Sequence, residues 1–177
     1  RCELYALCDI DEEILAAKGK LYHIDRLYTD CNKMLAELPE LDAVSVCTWN
    51  AAHAPCTIAA LDAGKHVFCE KPMAMSTAEA EEMRAHAKKA GKLLGLGFVR
   101  RFGKDADLAR ALIQEGKLGK IYYAKAAYNR RNGSPGGWFE NKARAGGGPL
   151  IDLGVHIIDL VRYIAGNPRP VSVYGAT

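Results

Sequence analysis

No apolar run in this chain approaches the roughly 18 residues that a membrane-crossing helix requires; charged or polar residues break each one early. The opening residues do not show the basic segment and apolar core of a secretory signal. Charge of one sign is missing as well. The 24 Lys+Arg against 21 Asp+Glu leave only +3 over 177 residues, too balanced for a nucleic-acid surface or a polybasic membrane face. None of the six cysteines forms a CxxC pair, and their spacing fits no zinc pattern, so no metal site is expected. Most sit in apolar segments, as reduced thiols do, which predicts a reducing, cytosolic compartment. There is no internal repeat and no low-complexity tract. What remains is 49% apolar and 25% charged, which excludes disorder and predicts a globular protein.

The first hundred residues alternate short β-rich runs with helical ones. Strands are expected at residues 3–8, near Tyr28, and at 43–48, 65–69 and 92–98. Helices are expected at 11–20, 31–38, 51–63 and 76–90, the last opened by an S-x-x-E capping box at Ser76 and Glu79. Gly64 and Gly91 stand where helices stop. This alternation is the pattern of βαβ units and a parallel sheet. Beyond residue 100 the style changes to a helix at 104–115, a longer half-polar strand at 120–129 and a Gly/Pro/Asn-rich loop at 132–149. A helix at 150–165 and the start of a strand at 171–174 follow. The reading is an α/β chain in two domains, 1–100 and 101–177: an incomplete Rossmann-type parallel sheet, then the start of an α/β domain with an open sheet.

In an open parallel sheet, ligands bind beyond the carboxyl ends of the strands. Here those ends deliver Asp9, then Thr48-Trp49-Asn50, then Glu70-Lys71-Pro72, then Arg100-Arg101. An acidic residue at Asp9 suits the ribose hydroxyls of NAD and repels the extra phosphate of NADP; it equally suits the entry of a helix. The glycine fingerprint that should precede it is absent. Gly146-Gly147-Gly148 follows no strand and does not replace it. Lys71, beside a carboxylate, can donate to a substrate hydroxyl and stabilise developing alkoxide charge; it also reads as a surface turn. Asp152, His156 and Asp159 share one face of the expected helix. A His among carboxylates serves as a general base near neutral pH. The same pattern describes a helix carboxylate with a satisfied core His, and it falls short of a metal ligand set.

Two long stretches carry a resemblance. LDAVSVCTWNAAHAPCTIAALDAGKHVFCEKPM (residues 41–73) and GGGPLIDLGVHIIDL (residues 146–160), with ALCDID at 6–11 and FVRRF at 98–102, resemble the Gfo/Idh/MocA oxidoreductase family, the relatives of glucose–fructose oxidoreductase and inositol dehydrogenase. Trp49 departs from the pattern, standing where proline is usual. The resemblance implies NAD-dependent hydride transfer (NADP less favoured) from a secondary alcohol of a sugar, cyclitol or related polyol. It further implies a homo-oligomer built through the second domain's sheet, with neither nucleic acid nor membrane as partner.

Carried over by position, Asp9 would meet ribose, and Thr48, Asn50 and His53 would line the cofactor. Glu70 and Lys71 would stand near nicotinamide and substrate, with Lys71 polarising the reacting hydroxyl. Asp152 would hold that hydroxyl or its neighbour, and His156 would take its proton. Arg101 and Trp138 are further cofactor-side positions in a looser pattern. Family members carry a strand and a glycine-rich turn ahead of the point where this sequence starts. The expectation is therefore a fragment of a longer enzyme, itself inactive and a poor binder of NAD. The rival expectation is a non-catalytic relative serving as a binding or assembly subunit.

Overall fold

The computed structural model describes residues 2–131 and 133–176; Arg1, Asn132 (the first residue of the expected loop) and Thr177 lie outside the described residues. Chain contacts divide it into two compact units, Arg1–Leu96 and Gly97–Thr177. No helix among the described residues is long and apolar enough to cross a membrane.

The first unit runs β1 (Leu7–Cys8), α1 (Glu12–Tyr22), β2 (Leu27–Tyr28), α2 (Cys31–Glu37), β3 (Ala43–Val46), α3 (Asn50–Asp62), β4 (His66–Cys69), α4 (Thr77–Ala90) and β5 (Leu94–Leu96). All pairings are parallel and fall into two separate ladders, β1–β2 and β3–β4–β5. Helix starts follow local chemistry. Asp11 accepts the Glu13 and Ile14 N–H groups at 3.0 Å each, and Ser76 accepts from Glu79 at 3.2 Å. The Glu79 carboxylate returns to the Met75 N–H, one residue ahead of the cap, at 2.9 Å. Gly91 ends α4 with φ +64°, a conformation that costs glycine little.

The strand pair β3–β4 is nearly all apolar and packs with α3 and α4 through Val46, Val67, Cys69, Ala60, Leu61 and Met83. Leu61 and Met83 are fully buried, each contributing about 1.5–3 kcal/mol from area removed from water. Polar bonds tie the same elements. The Lys65 ammonium, 5% exposed, donates to the Pro39 carbonyl at 2.5 Å. His86 Nδ1 meets an Asp62 carboxylate oxygen at 2.7 Å, linking α4 to α3.

The second unit holds a 3-10 turn (Val99–Phe102), α5 (Lys104–Gln114), a 3-10 turn (Gly137–Glu140), α6 (Lys142–Ala145) and α7 (Val155–Ile164). Two expectations are corrected here. The strands predicted at 120–129 and 171–174 are not formed; Tyr122 is 95% and Val171 97% exposed. A β-prone segment becomes a strand only beside a ladder partner, and none of the described residues pairs with these. The single helix predicted at 150–165 is also divided: Leu150–Gly154 forms a wider π-turn, with the Val155 N–H reaching back to the Leu150 carbonyl, before α7 begins.

Candidate functional site

Register decides which loops meet. In the parallel β3–β4 pair, Val46 lies opposite Cys69, and the Glu70 N–H donates to the Val46 carbonyl at 2.9 Å. The segments Thr48-Trp49-Asn50 and Glu70-Lys71-Pro72 therefore leave the sheet side by side at its carboxyl edge. One Glu70 oxygen accepts the Lys71 N–H at 3.1 Å, and the Lys71–Pro72 peptide is cis. Pro72 is buried, whereas Glu70 and Lys71 are half-buried.

Thr48 is exposed and donates its hydroxyl to the Trp49 carbonyl at 3.2 Å. Asn50, only 3% exposed, opens α3. The Trp49 side chain does not cap that helix, and the Ala52 N–H in its first turn donates to the Trp49 carbonyl at 2.9 Å. Asp9, at the end of β1, is exposed, and one of its oxygens accepts the Asp11 N–H at 3.0 Å. It serves the entry to α1 while its second oxygen can still accept from a hydroxyl. An exposed carboxylate at the end of one strand and an exposed hydroxyl after another are groups of the kind that the hydroxyls and phosphates of a dinucleotide engage. Among the described residues, no three His, Cys, Asp or Glu side chains are grouped to hold a metal ion.

His53 departs from its expected place on the cofactor surface. Its ring is 1% exposed, with Nδ1 2.6 Å from the Pro72 carbonyl oxygen and Nε2 3.1 Å from that of Thr48. It lies beneath both turns rather than on them. The sequence could not show this, because burial of a His depends on where the next loop runs.

In the second unit, Asp152 stands on the π-turn, one of the distortions that recur at functional sites, and His156 follows on α7, both half-buried. Asp159, placed on their face by spacing alone, holds Arg101: Arg101 Nε donates to Oδ2 at 2.8 Å and a terminal nitrogen donates to Oδ1. Arg101 also lies 5.1 Å from the Tyr163 ring centre. Arg110, which sequence reasoning did not single out, donates to the Tyr163 hydroxyl at 2.8 Å. Arg101 is thus committed to an ion pair within its own unit, which the motif pattern did not reveal. Trp138 is half-buried and stacks on Phe139 at 3.8 Å.

Residues 1–98 match a family model described as an oxidoreductase family with an NAD-binding Rossmann fold, and residues 107–177 match the GFO/IDH/MocA C-terminal domain. The chain is 42% identical over 172 residues to D-glucoside 3-dehydrogenase of Escherichia coli (strain K12), covering 97% of this chain and 49% of that protein. It is 31% identical over 164 residues to myo-inositol 2-dehydrogenase of Thermotoga maritima, covering 93% and 48%. The solved structure of levoglucosan dehydrogenase in complex with NADH and levoglucosan superposes with a TM-score of 0.79 at 30% identity, covering 92% of this chain and 45% of that one. The chain spans about half the length of the curated relatives it matches.

Proposed function

The chain belongs to the Gfo/Idh/MocA oxidoreductase family, and from that membership we propose that its full-length protein oxidises a secondary alcohol of a sugar, cyclitol or related polyol with NAD. The observation that carries this reading is the β3–β4 register. It brings the Lys71 turn and the Thr48–Asn50 turn out of the sheet at the same edge. The names of the similar proteins, acting on a glucoside, an inositol and levoglucosan, point to the same substrate class.

In this reading Asp9 accepts from the adenosine ribose hydroxyls, which sets NAD ahead of NADP. Thr48 and Glu70 border the dinucleotide. Bound nicotinamide supplies the hydride acceptor. Lys71 donates to the reacting hydroxyl oxygen and stabilises the charge that grows there. His156 accepts the hydroxyl proton, and Asp152 holds that hydroxyl or its neighbour. Several convergent polar groups suit a polyhydroxylated substrate. Free thiols at all six cysteines accord with a cytosolic protein. Exposed Tyr122, Val171 and Tyr174 accord with assembly of copies through the second unit.

The test uses the complete gene product with NAD and NADP against a panel of sugars and inositols. Reduction of NAD by at least one of them is expected. Lys71→Met and His156→Asn should each lower kcat far more than NAD affinity. Wild-type turnover in both variants would defeat the role assignments, and a folded full-length protein that binds no dinucleotide would favour an assembly subunit.

A further inference from the structure

His53 carries three observations that the reading above does not use. Its ring is almost wholly buried, at 1% exposure, on a helix whose other buried residues are Asn50, Ala54, Thr57, Ala60 and Leu61. Both ring nitrogens face main-chain oxygens, at 2.6 Å for Pro72 and 3.1 Å for Thr48. Those two carbonyls belong to the two turns that meet at the carboxyl edge. A carbonyl oxygen only accepts and a neutral imidazole carries a single N–H, so one of these contacts is a hydrogen bond donated by the ring and the other is packing. The nearer contact assigns the hydrogen to Nδ1, donated to the Pro72 carbonyl.

We propose that His53 is a positioning residue, clamping the Lys71–Pro72 turn to the Thr48 turn and thereby setting where the Lys71 ammonium stands. The two turns depend on it unequally. Thr48 runs within two residues into α3, the helix that carries His53 itself, so β3 and α3 already anchor it. Residues 70–76 belong to no helix or strand. That segment is secured by the Val46 carbonyl at Glu70, by Glu79 at Met75 and by Met73 and Ala74 packed against the core, and His53 grips the Pro72 carbonyl between those points. Loss of the ring therefore loosens the peptide next to Lys71 before it disturbs the Thr48 turn. Misplacing a charged donor by a fraction of an ångström costs turnover more than binding. This inference rests on the proposed role of Lys71.

The experiment has two arms in the full-length protein. In the first, 15N-labelled histidine spectra of the wild type should show a slowly exchanging hydrogen on His53 Nδ1, assigned by its disappearance in His53→Asn. An Nδ1 without hydrogen, or one exchanging at the rate of a solvent-exposed ring, overturns the clamp whether or not the protein turns over a sugar. In the second, His53→Leu should lower kcat on the order of 10- to 100-fold while NAD affinity changes by less than about threefold. His53→Asn, which keeps a donor near the Nδ1 position, should recover most of that loss. Wild-type kcat in His53→Leu, or equal losses of kcat in both variants, overturns the positioning role. Where His53→Leu does not fold, the spectra and the Asn variant decide. A wild type that oxidises no sugar or polyol defeats the functional reading, while the Nδ1 hydrogen still reports on the clamp.

Discussion

Arg101 and Asp159 form a two-pronged ion pair within the second unit, with both carboxylate oxygens engaged by the guanidinium. Asp159 is the more buried partner, its side chain 11% exposed against 36% for Arg101. The pair fastens the 3-10 turn Val99–Phe102 to α7, the helix that carries His156.

Removing the guanidinium leaves the Asp159 carboxylate, 11% exposed, with poor access to water. Arg101→Ala is expected to destabilise α7 by about 1–3 kcal/mol, between an exposed pair and a fully buried one. Arg101→Lys should recover little of that loss, because an ammonium cannot reproduce the two-pronged geometry. Hydrogen exchange at the α7 amides of the full-length protein checks this; unchanged exchange in both variants would show the pair to be dispensable.

Gly146 ends α6 with φ +77°, donating its N–H to the Lys142 carbonyl at 2.8 Å. Gly148, two residues on, has no such backbone requirement and open space around the position of a Cβ. Gly146→Ala should therefore cost about 1–2 kcal/mol, and Gly148→Ala less than about 0.5 kcal/mol. Thermal unfolding of the two variants side by side separates them. Equal effects would remove the left-handed turn as the reason for glycine at 146.

The cysteines divide by burial. Burial pushes the Cys69 thiol up to about 11, and burial, then its neighbour Cys31, pushes Cys56 up to about 12. Cys47 is exposed. Alkylation needs the thiolate, so iodoacetamide near neutral pH should modify Cys47 well before Cys56 and Cys69, as read by mass spectrometry. The folded state holds the Cys56 and Cys69 protons more tightly than an unfolded chain does, where the ordinary value is 9.0. Their contribution to stability is thus complete below about pH 9 and is lost as pH rises through 11 to 12. Early labelling of Cys69 in the native protein would contradict its placement in the core.

Local signals were legible wherever chemistry is settled between near neighbours. Ser76 with Glu79 announced the start of α4, Gly91 announced its end, and the apolar run at 43–48 announced a strand of a parallel sheet, although only Val46 in it is buried and Ala43 and Ser45 are exposed. The Lys71 and Thr48 turns could be assigned to one sheet edge because parallel strands place their carboxyl ends together. The segments at 120–129 and 171–174 misled for the converse reason. Their β-prone alternation is real, but a strand needs a second strand, and nothing within the segment supplies one.

The amino-acid order alone determined the family, the parallel α/β plan and the identities of the residues offered at the strand ends, since these follow from motif spacing and hydrophobic period. Only the tertiary structure decided what two of the candidate side chains do. It buried the His53 ring under two turns and spent Arg101 on Asp159. Each outcome depends on a partner 19 or 58 positions away, and a contact of that kind exists only after the chain has closed on itself.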